Sequence, residues 1–345
     1  MRREIPRLRL EGQLPTGLII DARSESEFAA DHIPGAINLP TLNDQERIEV
    51  GTLYKQASPF KARIRGASLA ARNIADHVEH SLSGLPQGHP MWVYCWRGGQ
   101  RSGSLALVLK EIGFSPKLIN GGYKHWRNEV MSGLPRRIES LKWRVLSGPT
   151  GVGKTRWLQA LAEAGEPTLD LEGLGGHRGS LLGDVNGGQP TQRAFESRLY
   201  HHLSSLESGT EVWVESESAN LGKLTIPAAL MTKIHAAPQV ELQVSLADRV
   251  AQLLKDYPMW VDAPDQLIEK LNVLRPRHSN ARIDQWITWI HQSNFEALVS
   301  DLLIHHYDPT YAHGAKRLNQ SDRTEVCVGS TQDTLSQLIK MRKSD

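Results

Sequence analysis

The chain has 345 residues, of which 39% are hydrophobic and 23% charged, and this composition is typical of a globular protein, not a disordered or fibrous one. Its 40 Lys and Arg nearly balance its 38 Asp and Glu, so any nucleic-acid surface must be a local patch. The length favours two domains, and the two cysteines, Cys95 and Cys327, exclude a disulfide-stabilised scaffold.

The N-terminal residues carry charges without the apolar stretch that follows in a secretory signal peptide. No window approaches the roughly 18 apolar residues of a membrane span. We therefore expect a soluble cytoplasmic protein with no membrane partner. The sequence makes no prediction of oligomeric state.

Two short apolar runs predict buried parallel strands that end in functional residues. Asp21 directly follows the apolar run at residues 17–20, and Cys95 directly follows the run at residues 91–94. Helical patterns follow both runs, so these side chains belong at the carboxyl ends of strands, where open α/β sheets hold their sites. The first part of the chain is therefore predicted to be an α/β domain.

A polar, glycine-rich loop follows the second of these strands and runs from Cys95 to Ser102. Successive N–H groups of such a loop, with Arg97 and Arg101 nearby, favour the thiolate of Cys95 over its thiol. Cys95, Arg97 and Arg101 are therefore predicted to be catalytic. A sulfur or selenium carrier and a cysteine phosphatase both use this arrangement. Arg101 stands six residues after Cys95, a spacing that suits a phosphatase and also the binding of other anions.

A break rich in Gly, Pro and Arg at residues 132–137 indicates the end of this domain. We place the boundary near residue 138, which gives a first domain at 1–137 and a second at 138–345. Cys327, in an apolar strand pattern, is predicted to be structural. Strands of a second parallel sheet are predicted at 143–147, 168–171, 211–214 and 240–244, followed by a mostly helical region at 250–310.

The strand at 143–147 runs into a turn that fits the phosphate-binding pattern G-x-x-x-x-G-K-[ST], and an amphipathic pattern follows it. Glycines let backbone N–H groups converge on anionic oxygens, Lys154 adds a point charge, and the Thr155 hydroxyl is a candidate Mg²⁺ ligand. A nucleotide is the default guest, but such a loop binds any diphosphate. The residues predicted to bind the phosphate or diphosphate are Gly148, Gly151, Val152, Gly153, Lys154 and Thr155.

Polar residues that follow two further strands are candidates for contacts to the ligand. Glu215 and Glu217 are placed to orient Mg²⁺ through water, and the alternative is an exposed carboxylate pair. His177 and Arg178 are candidates for a phosphate or base contact, or for stabilising their own loop. No other metal site is predicted, because the remaining histidines lack a ligand pattern.

Cations cluster in the first domain. Five Lys and Arg and no acid lie between residues 51 and 75, and ten Lys and Arg against three Glu lie between residues 91 and 144. A basic strip beside a reactive cysteine suits a polyanionic substrate, and Trp96 is a candidate to stack on a splayed-out base. The alternatives are a solvated surface for the cations and a packing role for Trp96.

The first domain resembles the rhodanese family. The resemblance rests on Asp-Ala-Arg-Ser at 21–24, Glu-Phe at 27–28, His-Ile-Pro-Gly-Ala-Ile-Asn at 32–38 and Gly-Gly-Tyr-x-x-Trp at 121–126. It implies an α/β sandwich around one parallel sheet, with Cys95 at the nucleophile position. It also implies structural roles for Asp21 and His32.

The fusion of such a domain to a phosphate loop resembles the tRNA 2-selenouridine synthase family over about residues 15–310. Further stretches that carry the resemblance lie at 169–174, 177–180, 189–192, 195–196, 215–218 and 306–309. It implies an α/β fold in which a rhodanese-like parallel-sheet domain precedes a P-loop NTPase-like domain with a helical region.

The same resemblance implies a transferase that acts on the anticodon arm of tRNA. The reaction replaces the sulfur of wobble-position 2-thiouridine by selenium from selenophosphate, after S-geranylation by geranyl diphosphate. Cys95 is expected to serve selenium transfer, and the phosphate loop is expected to bind the prenyl diphosphate with Mg²⁺.

Three other interpretations stay open. The first is a nucleotide-dependent kinase or hydrolase fused to a rhodanese-like sulfur carrier, which tRNA-stimulated nucleotide consumption would reveal. The second is a regulatory module in which the cysteine loop senses thiol state or phosphate. The third is a cysteine phosphatase, which turnover of an aryl phosphate would reveal.

Overall fold

The computed structural model describes residues 5–10, 14–177 and 188–342. These residues form two compact units. The first holds the described residues up to 137 together with 190–205, and the second holds the remainder. None of the described helices is long and apolar enough to cross a membrane.

The first unit is built on a parallel sheet of five strands, in the order β1-β5-β4-β2-β3. Its strands are β1 (Arg7–Leu8), β2 (Leu18–Asp21), β3 (Ala36–Asn38), β4 (Pro90–Tyr94) and β5 (Ser115–Ile119). The register pairs Asp21 with Tyr94, so the carboxyl ends of β2 and β4 lie side by side. Cys95 follows the middle strand, as predicted from the apolar run before it.

Helices cover this sheet and bury its apolar side chains. They are α1 (Glu25–Ala30), α2 (Asp44–Gln56), α3 (Pro59–His77), α4 (Gln100–Ile112) and α5 (Gly122–Ser140), and a π-helical segment, Val78–Leu82, follows α3. Leu105 and Leu109 of α4 are fully buried in one core with Ile20 of β2 and Val93 of β4. This packing fixes the start of α4, where the cysteine loop ends.

The secondary structure is not interrupted at residues 132–137, because α5 continues through them to Ser140, although the two units divide between residues 137 and 138. Val130, Leu134 and Ile138 are all buried, and their spacing of four residues places them on one face of the helix. Pro135 lacks an N–H and removes one helical hydrogen bond. Burial of the apolar face offsets that loss.

The second unit has its own parallel sheet, in the order β12-β11-β6-β8-β7. Its strands are β6 (Lys142–Ser147), β7 (Thr168–Leu169), β8 (Glu211–Glu215), β11 (Gln239–Gln243) and β12 (Arg323–Cys327), with an antiparallel pair β9 (Asn220–Leu221) and β10 (Leu224–Thr225) beside it. The predicted fold class, two α/β domains with parallel sheets, is confirmed. The strand predicted at 168–171 is shorter, since a helix begins at Leu171.

Cys327 lies in a strand as predicted, but it is exposed and therefore not part of a core. Successive side chains of a strand point to opposite faces. On β12, Val326 points inward and is fully buried, which leaves Cys327 facing outward.

The remaining helices include the predicted helical region at 250–310. They are α6 (Lys154–Glu163), α7 (Leu171–Gly175), α8 (Gln192–Ser204), α9 (Ala228–Ala236), α10 (Leu246–Asp256), α11 (Met259–Asp262), α12 (Pro264–Asn272), α13 (Asn280–His291), α14 (Phe295–Leu302), α15 (Asp308–Ala315) and α16 (Thr331–Arg342). A 3-10 turn, Arg275–Arg277, and a π-helical segment, Leu303–Tyr307, connect some of them. Trp286 is fully buried with Leu267 and Leu271, so it is a packing residue, as expected.

Helix α8 belongs to the first unit although the chain on both sides of it belongs to the second. The predicted second domain, 138–345, is therefore not one uninterrupted unit. Trp126 donates its indole N–H to Ser197 at 3.3 Å and lies 5.7 Å from the Tyr200 ring, between ring centroids. Ser197 in turn donates to the buried Asp31 carboxylate at 2.9 Å.

Replacing Tyr200 by Ala tests this assignment. The buried ring fills space beside Trp126, so its loss is expected to destabilise the first unit by roughly 3–5 kcal/mol. Pulse alkylation of the buried Cys95 during urea unfolding, read by peptide mass spectrometry, reports on that unit. The exposed Arg193→Ala on the same helix is the control, and equal midpoints for the two variants would contradict the assignment.

Candidate active sites

The cysteine loop in the first unit binds its own thiol through hydrogen-bond donors. Cys95 is buried, with 3% of its surface exposed. Its Sγ accepts the backbone N–H of Gly99 at 3.2 Å and the Ser102 hydroxyl at 3.2 Å. Donors aimed at a sulfur stabilise the charged form, so the loop is arranged for a thiolate.

The start of α5 holds the other side of this loop. The N–H groups of Tyr123 and Lys124 donate to the carbonyl oxygens of Cys95 and Trp96, both at 2.9 Å. A helix begins with N–H groups that have no partner inside the helix, and here the loop carbonyls use two of them. A Cβ at Gly122 would lie 2.1 Å from the Cys95 carbonyl oxygen, so only glycine fits there.

Arg101 is held beside the loop by an acid. Its guanidinium contacts the Glu27 carboxylate at 2.6 Å, and Arg47 lies 3.3 Å from the same carboxylate. Glu27 also takes part in the N-terminal capping box of α1 with Ser24, so its position is fixed by that helix. The charge of Arg101 acts on the Cys95 thiol, whereas Arg97 is exposed on the loop.

These contacts set the pKa of the Cys95 thiol. Burial alone raises it, but the hydrogen bonds from Ser102 and Gly99 and the charge of Arg101 outweigh burial, so the pKa lies below its ordinary value. The thiolate fraction at neutral pH increases accordingly, and the thiolate is the nucleophilic form.

Asp21 and His32 support the fold around this site. Asp21 binds the buried Arg23 through both carboxylate oxygens, and the Arg23 guanidinium stacks 3.9 Å from the centre of the Tyr123 ring. His32 contacts the Phe28 carbonyl through Nδ1 at 2.9 Å. The Arg23 contacts connect the end of β2 to α5, which holds the cysteine loop, and the His32 contact lies at the end of α1.

Removing the Ser102 hydroxyl tests the electrostatics of the loop. Ser102→Ala is expected to raise the pKa of the Cys95 thiol, because the thiolate loses a donor. The pH dependence of iodoacetamide alkylation in a Cys327→Ser background measures it. Ser104→Ala is the matched control, since that hydroxyl donates to the Arg101 carbonyl and not to the thiol. An unshifted profile in Ser102→Ala would show that the bond does not stabilise the thiolate.

The phosphate loop in the second unit connects β6 to α6, as its motif predicts. Gly153 has φ 81°, a conformation that favours glycine, immediately before the first residue of α6. The Lys154 ammonium donates to the Gly148 carbonyl at 2.9 Å and so folds back over the loop. Val152 is buried and anchors the turn in the core beside β6. A loop at a helix N-terminus is a type of site that suits an anion.

Three carboxylates converge on the first turn of α6. Oxygen atoms of Glu172, Glu215 and Glu217 lie within 4.8 Å of one another. The Thr155 hydroxyl is 3.1 Å from Glu172 and 3.2 Å from Glu215. Carboxylate and hydroxyl oxygens are the hard ligands that Mg²⁺ prefers.

Burial raises the pKa of Glu215 well above its ordinary value, and the charges of Glu217 and Glu172 add to the shift. Burial and the charge of Glu172 raise the pKa of Glu217 to about 7, while Lys154 opposes the shift. A bound cation reduces the repulsion between neighbouring carboxylates, so these three residues fit a divalent metal ion.

Glu172 belongs to this group of carboxylates, although it was not predicted from the sequence as a site residue. It follows the short strand β7, whose carboxyl end lies at the same sheet edge as that of β8. Asp170, just before it, caps α7 by accepting the Gly173 N–H at 2.7 Å. Glu172 follows the end of a predicted strand, as Glu215 and Glu217 do, and this shared position is the signal that could have identified it.

A cavity of about 980 Å³ opens over the phosphate loop and the acid group. The helical region lines its other side with cationic and aromatic side chains, among them Arg277, Tyr307 and Arg317. His177 is buried and lines the cavity, a position compatible with the predicted ligand contact, while Arg178 lies outside the described residues.

Arg249 of α10 joins the helical region to the loop, a role that the sequence did not reveal. Its Nε donates to the Thr150 carbonyl at 2.8 Å. Its two terminal nitrogens bind the Asp308 carboxylate at 3.1 and 2.5 Å. Bidentate pairing of this kind fixes the guanidinium, and the guanidinium fixes the loop carbonyl.

Residues 7–129 match the family model of the rhodanese-like domain, and residues 141–344 match that of the tRNA 2-selenouridine synthase AAA domain. A tRNA 2-selenouridine synthase of Pseudomonas syringae pv. syringae is 32% identical over 91% of this chain and 92% of its own length. One from Pseudomonas fluorescens is 32% identical over 85% and 87%, and one from Nitrosomonas europaea is 36% identical over 69% and 63%.

Proposed function

From the premise that this chain belongs to the tRNA 2-selenouridine synthase family, and is thus a tRNA-modifying enzyme that forms selenouridine, we propose a reaction in two steps. The enzyme S-geranylates wobble-position 2-thiouridine with geranyl diphosphate, and then replaces the geranylated sulfur by selenium from selenophosphate. The enzyme is therefore a transferase in both steps, first of a geranyl group and then of selenium. The proposal is carried by the presence of two anion sites with different chemistry, a thiolate loop and a phosphate loop.

The phosphate loop suits the first step. The thiouridine sulfur forms a bond to C1 of the geranyl group, the C1–O bond breaks with its electron pair going to pyrophosphate, and the N3 proton is released. Loop N–H groups and Lys154 stabilise the negative charge that builds on the leaving pyrophosphate. Thr155, Glu172, Glu215 and Glu217 are the residues that would hold Mg²⁺, which supplies further positive charge to a diphosphate when bound.

Alkylation prepares the base for exchange. A thiocarbonyl sulfur leaves poorly, whereas an S-alkyl group leaves as a thiol and makes C2 electrophilic. The first step therefore creates the leaving group of the second.

The cysteine loop suits the second step. The Cys95 thiolate attacks the phosphorus of selenophosphate, the S–P bond forms, and the P–Se bond breaks to release hydrogen selenide anion. Selenide adds to C2, the geranyl thiolate leaves and takes the selenide proton, and water hydrolyses the S–P bond to phosphate. No oxidant is consumed. The Gly99 N–H donates to Sγ, and Arg101, which is paired with Glu27, adds positive charge near the thiol, so both groups suit the phosphoryl oxygens.

Two single substitutions separate these steps. Lys154→Ala is expected to lower S-geranylation by roughly 10²–10³-fold, because the leaving pyrophosphate loses a charge partner. Cys95→Ala is expected to accumulate geranylated tRNA without selenouridine. Nucleoside mass spectrometry measures both products, with geranyl diphosphate, selenophosphate and Mg²⁺ omitted in turn.

Lys142→Ala is the control for the first substitution, because this exposed lysine lies at the other end of β6. Normal geranylation by Lys154→Ala would overturn the role of the loop. Unchanged thiouridine with tRNA-stimulated nucleotide hydrolysis would favour the kinase or hydrolase fused to a sulfur carrier.

The α2–α3 hairpin supports a tRNA contact in the first unit. Lys55, Lys61 and Arg63 are exposed, and Phe60 among them exposes 66% of its surface. Arg65, by contrast, is engaged by Glu49 at 2.6 Å. Cations interleaved with an exposed aromatic ring suit a phosphate backbone and its unstacked bases. Near the thiol, Trp96 is 40% exposed and is available to a splayed-out base.

Removing three of these cations tests the tRNA contact. The triple variant Lys55→Ala, Lys61→Ala, Arg63→Ala is expected to weaken tRNA binding, because each cation that pairs with a phosphate releases counterions. The slope of log Kd against log salt concentration is expected to fall by about one for each such pair that is removed. Binding isotherms at several salt concentrations measure it. A matched variant lacking Lys142, Lys255 and Lys316 is the control, and equal weakening in both would assign binding elsewhere.

A further inference from the structure

A second, smaller depression in the second unit opens beside the phosphate cavity. It is bordered by α10, α11, α12, α14 and the π-helical segment, and we call it the apolar crevice. Its lining shares Thr150, Leu253, Tyr257 and Tyr307 with the larger cavity. The two are therefore neighbours beside the phosphate loop.

The side-chain oxygens of the crevice lie only on the shared side, and its other polar group is the buried indole N–H of Trp260. Of its thirteen lining residues, the three that carry side-chain oxygens are Thr150, Tyr257 and Tyr307, all of which also line the cavity. The rest of its lining is aliphatic or aromatic and includes the nearly fully buried Leu267 and Leu298. A base or sugar placed there would lose its hydrogen bonds to water, whereas a hydrocarbon would not.

The crevice is held at a fixed position relative to the loop. A Cβ at Gly151 would lie 3.1 Å from the Leu253 side chain, so α10 is in contact with the loop backbone. The bond from Arg249 to the Thr150 carbonyl fastens the same helix to the same turn. Since α10 both contacts the phosphate loop and lines the crevice, an anionic group bound at the loop lies close to the apolar crevice.

We propose that the apolar crevice binds the terminal isoprene unit of the prenyl diphosphate whose diphosphate occupies the phosphate loop, an inference that rests on the proposed function. The crevice has a volume of about 70 Å³, on a scale where one water needs roughly 10–15 Å³. It therefore takes about five waters, or a hydrocarbon of similar size such as one five-carbon unit.

The crevice then selects chain length. A dimethylallyl donor has no second isoprene unit to place there, and a farnesyl donor has one too many. The gain from burying the second unit is expected to favour geranyl over dimethylallyl diphosphate by on the order of a hundredfold in kcat/KM.

The test compares dimethylallyl, geranyl and farnesyl diphosphates as donors to thiouridine tRNA, for the full chain and for variants that fill or enlarge the crevice. Val299→Phe narrows it and is expected to lower geranyl transfer at least tenfold while leaving dimethylallyl transfer and pyrophosphate binding unchanged. Leu298→Ala enlarges it and is expected to raise farnesyl use relative to geranyl. Val108→Phe, on α4 of the first unit, is the matched control.

A measurement on the unmodified chain covers the case in which a variant fails to fold. Geranyl diphosphate is expected to bind with a more negative heat-capacity change than pyrophosphate, because apolar surface is buried. Equal heat-capacity changes would overturn the crevice assignment, as would unchanged chain-length preference in both variants. Absence of product from all three donors with the unmodified chain would instead overturn the proposed function itself.

Discussion

Both candidate sites depend on one constraint, the convergence of backbone N–H groups where a central parallel strand ends and a helix begins. β4 and β6 are each the middle strand of five, so each is hydrogen-bonded on both edges. In both loops, a group outside the loop also binds a loop carbonyl. The first N–H groups of α5 bind the carbonyls of Cys95 and Trp96, and Arg249 binds that of Thr150. A loop whose carbonyls are occupied keeps its conformation before any ligand arrives, which is what preorganisation requires.

The two sites have opposite electrostatic character. Donors at the Cys95 thiol lower its pKa and prepare the loop for negative charge, whereas buried acids in the second unit have raised pKa values and favour the binding of positive charge. The pKa of Glu217 rises from an ordinary 4.5 to about 7, so the folded state holds a proton that the unfolded chain releases. The associated stability is present below pH 4.5 and is lost as the pH rises through about 7. A bound cation offsets that loss.

Motifs whose backbone conformation is determined by neighbouring residues could be predicted from the sequence. The phosphate loop and the strand before Cys95 are local patterns, and the structure has both where the residues indicated. Long-range packing could not be predicted in the same way. The Gly, Pro and Arg residues at 132–137 suggested a break, but a buried apolar face carries α5 through them. Glu172 reaches Thr155 only because β7 and β6 flank β8 on its two sides, and a single sequence does not show strand order.

The assignment of α8 to the first unit has a consequence for biosynthesis. The chain passes from one unit to the other near residues 137, 189 and 205, so three covalent connections join them. A ribosome releases the chain from its N-terminus, and domains that are continuous in sequence complete their folding as they emerge. Here Trp126 and Asp31 have partners on α8, which emerges only after β6 and the phosphate loop have been made. The first unit to begin folding is therefore unable to finish before the first segment of the second, residues 138–189, has been synthesised, and a gene split at residue 137 would separate Asp31 from Ser197.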